Sequence, residues 1–348
     1  MRQRRSSVRY RVRYCVRCRV RYRVRSLQRI AFAVALCAAP AASRAQGGLT
    51  AEGALFLLVP VGARAVGLGQ AVVASDIGSE SIWANPAGLA RLTKNELSIN
   101  HSQTVIATGD ALNIVVPAGK AGVIAATAYL MNYGQQDATD NLSPPTVIGT
   151  LYLRSYVFAA AYAATFGSRI SAGVTYKFVQ ERVDCSGTCG NIPAFSASTN
   201  ALDLGVQAIV DKARRLTVGL DIRDAGLKLQ VNDAPQSDPL PTRIHLGAQY
   251  LVPGIEKSIP DGELRVSAEV VENASLGAAA FRAGGELVYR KLFFLRLGVA
   301  GGSGDGASAA VGLGVKRGGI SMDFARGFGG FSSDAGKPPT YLTLRFQF

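Results

Sequence analysis

The chain has 348 residues and a formal net charge of +14, from 38 Lys and Arg against 24 Asp and Glu. Residues 1–46 hold thirteen arginines and no acidic residue, so the remainder carries 25 basic against 24 acidic residues. This nearly neutral remainder excludes a basic nucleic-acid-binding domain, and no nucleic acid is expected as a partner.

Residues 1–45 have the organisation of a secretory signal peptide. An apolar run, Ile30–Ala42, follows arginines and precedes small residues that end at Gln46, the expected start of the mature chain. The run is too short to cross a bilayer as a helix, which takes about 20 residues. The arginine block Arg9–Arg25 is longer than a signal peptide needs, which predicts a true start site near Val24 or Leu27.

Residues 46–95 are predicted to form a compact plug, or hatch, that contains short helices. Its glycines permit positive φ or close approach of another segment. Asn85 followed by Pro86 is typical of a helix N-cap and first helical residue, so the Asn85 oxygen should accept from the N–H of Ala87 or Gly88. The alternative is a glycine-rich loop of a soluble domain. The hatch motif consists of Gly62, Arg64, Gly67, Gly69, Asp76, Trp83, Asn85, Pro86 and Gly88.

Residues 96–348 alternate apolar and polar positions with period two, as in Leu202–Val210 and Leu264–Val270. This pattern predicts an all-β fold, a transmembrane antiparallel β-barrel of about 14 strands, in which one face of each strand meets lipid. A soluble sandwich also alternates, so alternation alone does not decide. The strands are expected near residues 96–105, 108–117, 121–132, 150–166, 169–183, 199–211, 215–223, 241–252, 262–272, 281–290, 292–300, 307–316, 318–326 and 339–348.

The connections between these strands favour the membrane barrel. Short turns mostly alternate with long loops at residues 133–149, 184–198, 224–240 and 327–338, the arrangement of outer-membrane barrels. The last strand, Tyr341–Phe348, alternates to its end, and an exposed edge of this kind would invite aggregation in a soluble protein. A closed barrel removes that edge.

The run from Gly62 to Gly69, then Asp76, Trp83 and Asn85-Pro-Ala-Gly-Leu-Ala ahead of a series of strands, resembles the PorV/PorQ family of outer-membrane proteins. That family belongs with the FadL-type fatty-acid transporter barrels, whose N-terminal segment folds inside the barrel as a hatch with a similar Asn-Pro-Ala element. The resemblance covers about 300 residues, Leu55 to Phe348. It implies a protein of the outer membrane of a Gram-negative-type bacterium.

The resemblance also implies function. The first expectation is a non-enzymatic component of type IX-like protein secretion that interacts with or anchors secreted client proteins. The alternative is a FadL-like transporter of hydrophobic solutes such as long-chain fatty acids. Outer-membrane lipid and the barrel assembly machinery are the other expected partners, and no cofactor or metal is expected. No nucleophile, base and orienting residue stand together, so His245 is expected to be a structural residue facing the interior rather than a catalytic base.

Charged residues recur on the register that faces away from lipid, where they are tolerated if they pair. They predict either a salt-bridged lumen that grips the hatch or a polar conduit, with Arg64 and Asp76 as candidate latches. The charged positions are Asp203, Asp221, Glu263, Arg265, Glu269, Arg282, Glu286, Arg296 and Asp323.

Two further groups of residues carry expectations. Cys185 and Cys189, with glycines beside them and an export signal upstream, favour a small exposed disulfide ring in the third outer loop over a metal site. Aromatic residues near strand ends fit interfacial girdles. The alternative for those on one register is the lining of an apolar pocket. The aromatic residues concerned are Tyr129, Tyr133, Tyr152, Tyr156, Phe158, Tyr162, Phe293, Phe294 and Tyr341.

Overall fold

The computed structural model describes residues 52–140, 142–189, 195–231, 237–273, 279–302, 307–329 and 338–348. The expected signal peptide, the arginine block and the first residues of the hatch lie outside the described residues. Within that part, no helix is long and apolar enough to cross a membrane.

The hatch, described from residue 52 to residue 95, is a chain of short helices. They are the 3-10 helix η1 (Leu55–Leu58), the α-helix α1 (Ala63–Gly67), and the 3-10 helices η2 (Gly78–Ile82) and η3 (Pro86–Arg91). Glycine and proline between the apolar residues keep each helix to one or two turns. Asn85 is the N-cap of η3, and its side chain accepts a hydrogen bond from the N–H of Ala87.

Sixteen strands follow the hatch. They are β1 (Glu96–Gln103), β2 (Thr108–Pro117), β3 (Val123–Thr139), β4 (Val147–Phe166), β5 (Ile170–Gly187), β6 (Phe195–Ile209), β7 (Leu216–Gly226), β8 (Leu229–Val231), β9 (Ser237–Asp238), β10 (Arg243–Val252), β11 (Gly262–Asn273), β12 (Ala279–Tyr289), β13 (Phe293–Gly302), β14 (Ser308–Arg317), β15 (Ile320–Gly329) and β16 (Thr340–Gln347). Two single-turn 3-10 helices, η4 (Gly119–Ala121) and η5 (Ile255–Lys257), lie in connections.

Fourteen of the strands close into an antiparallel barrel, as the alternation predicts. Each strand pairs with its neighbour along the chain, β10 pairs with β7, and β1 pairs with β16 to complete the ring. The short strands β8 and β9 stand outside the ring, where β8 pairs with β6 and β9 pairs with β8. Closure leaves no strand edge unpaired, which a membrane-spanning sheet requires.

Alternation places small, polar and charged residues inside the barrel and apolar ones outside. Along β14, for example, Leu313 and Val315 are exposed on the outside while Gly312 and Gly314 face inward. The two chain ends of the barrel and the short connections lie at one end, called the inner end here, and the longer connections lie at the other, the outer end.

Strands β3 to β6 extend further than the sequence predicts. Residues expected in the loops 133–149 and 184–198 continue the sheet, so that β4 alone has 20 residues. The residues of this extension do not alternate apolar and polar side chains strictly, so the sequence pattern predicts a loop where the structure has strand. A register shift between Asn132 and Gln135 marks the start of this outer extension on β3.

The structure corrects part of the aromatic assignment. Tyr129 and Tyr341 are buried inside the barrel and Tyr133 packs against the same interior, so these three do not form a girdle. Phe158 and Tyr162 are exposed on the outside, as a girdle requires.

Candidate functional site

The hatch fills the lumen from the outer end to the inner end. At the outer end, Phe56 of η1 is buried with Met131 and Val157 of the wall and Leu229 of the outer loop. At the inner end, the N–H of Phe348 donates to the carbonyl of Asn95 at 3.1 Å. The candidate site is therefore the contact between this hatch and the wall around it.

Arg64, on α1, holds the hatch to the wall by charge. Its guanidinium lies 3.1 Å from the Glu286 carboxylate on β12. Arg296 on β13 donates to the same carboxylate at 2.7 Å and reaches Asp323 at 2.6 Å. These groups are nearly all buried, so each needs its partner, because an unpaired buried charge is costly.

A second charged contact joins the hatch to β16. Glu80 of η2 is completely buried and accepts from Arg345 of β16 at 2.9 Å. Burial raises the pKa of Glu80 to about 7, and Arg345 opposes that shift. The neighbouring Ser79 N–H donates to Glu96 of β1 at 2.6 Å.

Glu269, on β11, binds the hatch backbone directly. Its Oε2 accepts from the N–H groups of Val72 and Val73, both at 2.9 Å. Its other oxygen contacts His245 at 2.7 Å and Arg282 at 3.4 Å. His245 thus faces inward and orients the carboxylate that holds the hatch, a structural arrangement.

Asn85 joins two parts of the hatch. Its oxygen caps η3 through Ala87, and its Nδ2 donates to the carbonyl of Val73 at 2.8 Å. The same Nδ2 lies 3.3 Å from two wall carbonyls, of Val206 and Leu220. One side chain therefore fixes a helix start, a turn and the barrel wall together.

The glycines of the hatch meet glycines of the wall. Gly67 lies against Gly312 of β14, where a Cβ on either residue would approach the other's Cα to 3.0 Å. A Cβ on Gly298 of β13 would collide with the backbone of Gly69, and one on Gly284 of β12 with that of Leu68. We call the wall glycines that touch the hatch in this way the glycine seat.

The glycine seat continues on the other strands and was not recognised from sequence. There the inward glycines face the Pro86 backbone, the Asn85 side chain and the Val73 carbonyl. The sequence signal was present, because glycine repeatedly takes the inward register of the strands. The remaining members of the seat are Gly173, Gly205, Gly219 and Gly247, of which the last meets the side chain of Val73.

Other motif residues act inside the hatch. Gly62 has φ +98° and lies against Glu80, where any side chain would collide, and Gly69 has φ +61°. A Cβ on Gly88 would press on Ser81 Oγ at 2.7 Å. Asp76 does not latch onto the wall: it is half exposed and pairs at 3.4 Å with Arg91 of the hatch itself. Arg91 is near enough in sequence to satisfy the Asp76 carboxylate locally.

One part of the wall differs from the rest. The inward residues of β2 from Gly109 to Val115, of β3 from Val123 to Met131 and of β4 from Ser155 to Ala163 include no charged side chain. We call this surface the neutral wall, and the inward face of β11–β16, which carries Glu269, Glu286 and their partners, the charged wall.

Trp83 is the main hatch residue on the neutral wall. Its indole packs edge-on against Tyr129 at 5.4 Å between ring centroids, and Nε1 donates to Asn113 Oδ1 at 2.9 Å. Among the described residues this is the only hydrogen bond between the hatch and the neutral wall. Phe56, Ile82 and Leu89 contribute further contacts by apolar packing.

The cysteine pair lies in the outer extension, away from the hatch. Cys185, at the end of β5, and Cys189 form a disulfide. The ring is not fully exposed as expected, because Cys189 is buried against Leu151 and Val183. Within the described residues, no group of His, Cys, Asp and Glu is placed to hold a metal ion.

No protein-family model matches the chain, and no curated protein matches it in sequence. Solved structures match in fold. The Pseudomonas putida toluene transporter TodX aligns with a TM-score of 0.61 at 10% identity, over 82% of this chain and 98% of that chain. The Ralstonia pickettii toluene transporter TbuX gives 0.55 at 12% identity, over 82% and 98%.

A third structure, the CymD monoaromatic hydrocarbon channel, aligns with a TM-score of 0.53 at 13% identity, over 86% of this chain and 99% of that chain. At such identities the likeness shows the fold alone. It agrees with the FadL-type barrel expected from the sequence, and it gives no support to the narrower PorV/PorQ assignment.

Proposed function

We propose that this protein is a non-enzymatic outer-membrane carrier that admits small, uncharged hydrophobic molecules along the neutral wall. The observation that supports it is that the hatch is bound unevenly: ion pairs hold it to the charged wall, and apolar packing holds it to the neutral wall. This corresponds to the transport alternative drawn from the resemblance, and toluene and monoaromatic hydrocarbons are named for the structures that share the fold.

The outer end offers an apolar surface for such a solute. Leu55 and Leu58 of η1 are 56% and 39% exposed, although Phe56 between them is buried in the lumen. An apolar molecule leaving water gains about 25 cal/mol for each Å² that it buries on such a surface. The hatch therefore presents a docking surface to the outside before any part of it moves.

The neutral wall leads inward from that surface. Tyr129, Met131 and Val157 continue it into the barrel, in contact with η1 and with Trp83. An apolar solute that enters between hatch and wall here separates packed side chains but leaves no buried charge unpaired. On the charged wall the same movement would break ion pairs, at about 3 to 5 kcal/mol for each.

The same surface selects against charged solutes. No cation lies on the neutral wall to pair with a carboxylate, and an unpaired buried charge is strongly disfavoured. We therefore expect neutral hydrocarbons to be carried in preference to fatty acids, the solutes of the FadL-type resemblance.

The test is uptake of radiolabelled toluene by intact cells that carry the full barrel in their outer membrane, compared with the same cells without it. Leu55→Gln with Leu58→Gln should reduce uptake severalfold, because both side chains are exposed and their replacement leaves the core intact. The control is Leu292→Gln, a comparably exposed leucine in an inner-end turn. If the barrel is correctly folded and uptake is no faster than in cells without it, the function is contradicted.

The PorV/PorQ-type role in protein secretion is the second candidate, supported by the outer extension of β3–β6. A carrier of small solutes does not need strands of 17 to 20 residues, whereas a protein-binding component can use the added surface. Deleting the gene in the native bacterium separates the two: lost surface display of secreted proteins with normal toluene uptake supports secretion.

A further inference from the structure

Two arginines face outward side by side at the outer end of the barrel. Arg154 on β4 is directly opposite Arg182 on β5 in the strand register. Ser196 of β6 and Asn132 of β3 continue the same row on either side. Directly opposed side chains in an antiparallel pair have Cβ atoms about 5 Å apart, so both guanidinium groups can reach one ligand.

The height of this row follows from the strand geometry. A strand tilted by about 40° climbs about 2.6 Å per residue, so the apolar band, about 25 Å tall, spans about ten residues. Counted upward from Phe166 on β4, ten residues lead to Tyr156, which takes the place of an interfacial aromatic residue. Arg154 is the next outward residue above it, at the level of the lipid head groups.

The strand β5, which pairs with β4 in register, gives the same height. Ten residues above Ile170 the strand reaches Gln180, and Arg182 is the next outward residue. The two arginines therefore lie together at one depth, just above the apolar band. Neither faces the lumen, so neither belongs to the site between hatch and wall.

Of the two positive charges in this row, the described residues balance only one. Arg182 pairs with Asp184 at 2.8 Å. Arg154 lies over the ring of Tyr152, with 5.7 Å to the centroid, and forms no ion pair with a carboxylate of the described residues. Like charges placed directly opposite on two strands destabilise the pair unless an anion lies between them.

We propose that Arg154 and Arg182 bind the phosphate group of a lipid head group in the outer leaflet. Arginine binds phosphate through two parallel N–H donors, and two arginines from neighbouring strands supply a four-donor cradle. Asn132 adds a donor, because its oxygen already accepts from the Gly134 N–H at 3.0 Å and its Nδ2 stays available. This site is independent of the transport function.

The test measures lipid retention by native mass spectrometry after reconstitution in nanodiscs. The bilayer contains phosphatidic acid, which carries an exposed phosphate, and phosphatidylcholine, whose phosphate is shielded by choline. The wild-type protein should keep one molecule of phosphatidic acid. Arg154→Gln and Arg182→Gln should each lower its retention about tenfold, the loss of one charge-assisted contact.

The matched control is Arg326→Gln. Arg326 is also an outward-facing arginine, stacked on Phe328 at 5.8 Å, but has no second arginine opposite it on the neighbouring strands. This variant should retain phosphatidic acid like the wild type. Heat-modifiable migration on gels verifies that every variant is a closed barrel.

Three results would overturn the proposal. They are equal retention by all four proteins, equal retention of phosphatidylcholine and phosphatidic acid, and complete displacement of the lipid by inorganic phosphate. The last result would assign the arginine pair to free phosphate instead of a lipid.

Discussion

The neutral wall and the charged wall enclose the same hatch, but they hold it by different forces. On the charged wall, Glu269 and Glu286 bind the hatch through its backbone and through Arg64. On the neutral wall, Trp83 donates the only hydrogen bond that joins hatch and wall among the described residues, and the other contacts there are apolar. Ion pairs and hydrogen bonds fix distance and direction, whereas apolar packing does not.

The difference indicates where the lumen can open. A hatch tied equally all round would have to unfold or leave as a unit, whereas one that is weakly tied to one part of the wall can separate from the wall there. The glycine seat strengthens this asymmetry, because Gly284, Gly298 and Gly312 bring the hatch backbone against the wall on the charged side. The following predictions test the asymmetry, from the largest expected effect to the smallest.

The largest effect should come from Glu286→Gln. Three arginines share the Glu286 carboxylate: Arg64, Arg265 and Arg296. Loss of its charge leaves buried cations uncompensated, which costs about 3 to 5 kcal/mol. The barrel should still close, because its backbone hydrogen bonds are independent of the hatch. Single-channel conductance should show a large, permanently open pore.

The control for that experiment is Glu263→Gln. Glu263 is 37% exposed and pairs only with Arg265 among the described residues, so its loss should leave conductance at the wild-type level. A closed pore in Glu286→Gln, or an open one in Glu263→Gln, would show that the charged wall does not hold the hatch.

The second prediction concerns the glycine seat. Gly298→Ala should displace the hatch at Gly69, at a cost of about 1 to 3 kcal/mol for overpacking, and should raise conductance partially. Gly285→Ala is the matched control: an added Cβ there approaches only the Arg265 carbonyl, at 3.9 Å. Equal melting temperatures for the two variants would show that the glycine seat does not hold the hatch.

Much of the barrel can be predicted from sequence because period two is a local property. The alternation gives fourteen strands and the inward register of Glu269, Glu286 and Arg296. The partners of these charges cannot be predicted in the same way, since Arg64 and Glu286 are 222 residues apart and meet only through the register of the closed barrel.

The hatch shows the same limit of prediction from sequence: local contacts can be predicted, and contacts between distant residues cannot. The cap at Asn85 follows from neighbouring residues and is present in the structure. Asp76 looked like a latch because of its charge alone, but its partner, Arg91, lies inside the hatch. The glycine seat depends on which glycine of the hatch faces which glycine of the wall, information that neither stretch of sequence contains by itself.

The third prediction compares one hydrogen bond on each wall. Trp83→Phe removes the bond to Asn113, whose oxygen still accepts from Thr127, and should lower stability by about 1 kcal/mol or less. Toluene uptake should rise, because the hatch is held less firmly on the neutral wall. Thr343→Val instead strips the Ala63 N–H of its acceptor on the charged wall.

Thr343→Val should cost about 1 to 3 kcal/mol, because a buried donor is left unsatisfied. It should raise ion conductance without a selective gain in toluene uptake. If both variants raise the same flux by the same factor, the two walls are equivalent and the proposed route is wrong.

The smallest effect at neutral pH should come from Glu80→Gln. Burial raises the pKa of Glu80 from 4.5 to about 7, with Arg345 opposing the shift, so about half of the carboxyl groups are already protonated at pH 7. A pKa that is higher in the folded state than in the unfolded state contributes stability that is complete below pH 4.5 and is lost as the pH rises through 7.

Glutamine imitates the protonated acid and keeps an oxygen for Arg345, so the variant should melt at nearly the wild-type temperature at pH 4.5. Above pH 7 the variant should melt at a higher temperature than the wild type, because it carries no charge to desolvate. Thermal melts of both proteins across this range measure the difference, and a wild type that gains stability relative to the variant as the pH rises would show that the ion pair with Arg345 outweighs the burial of Glu80.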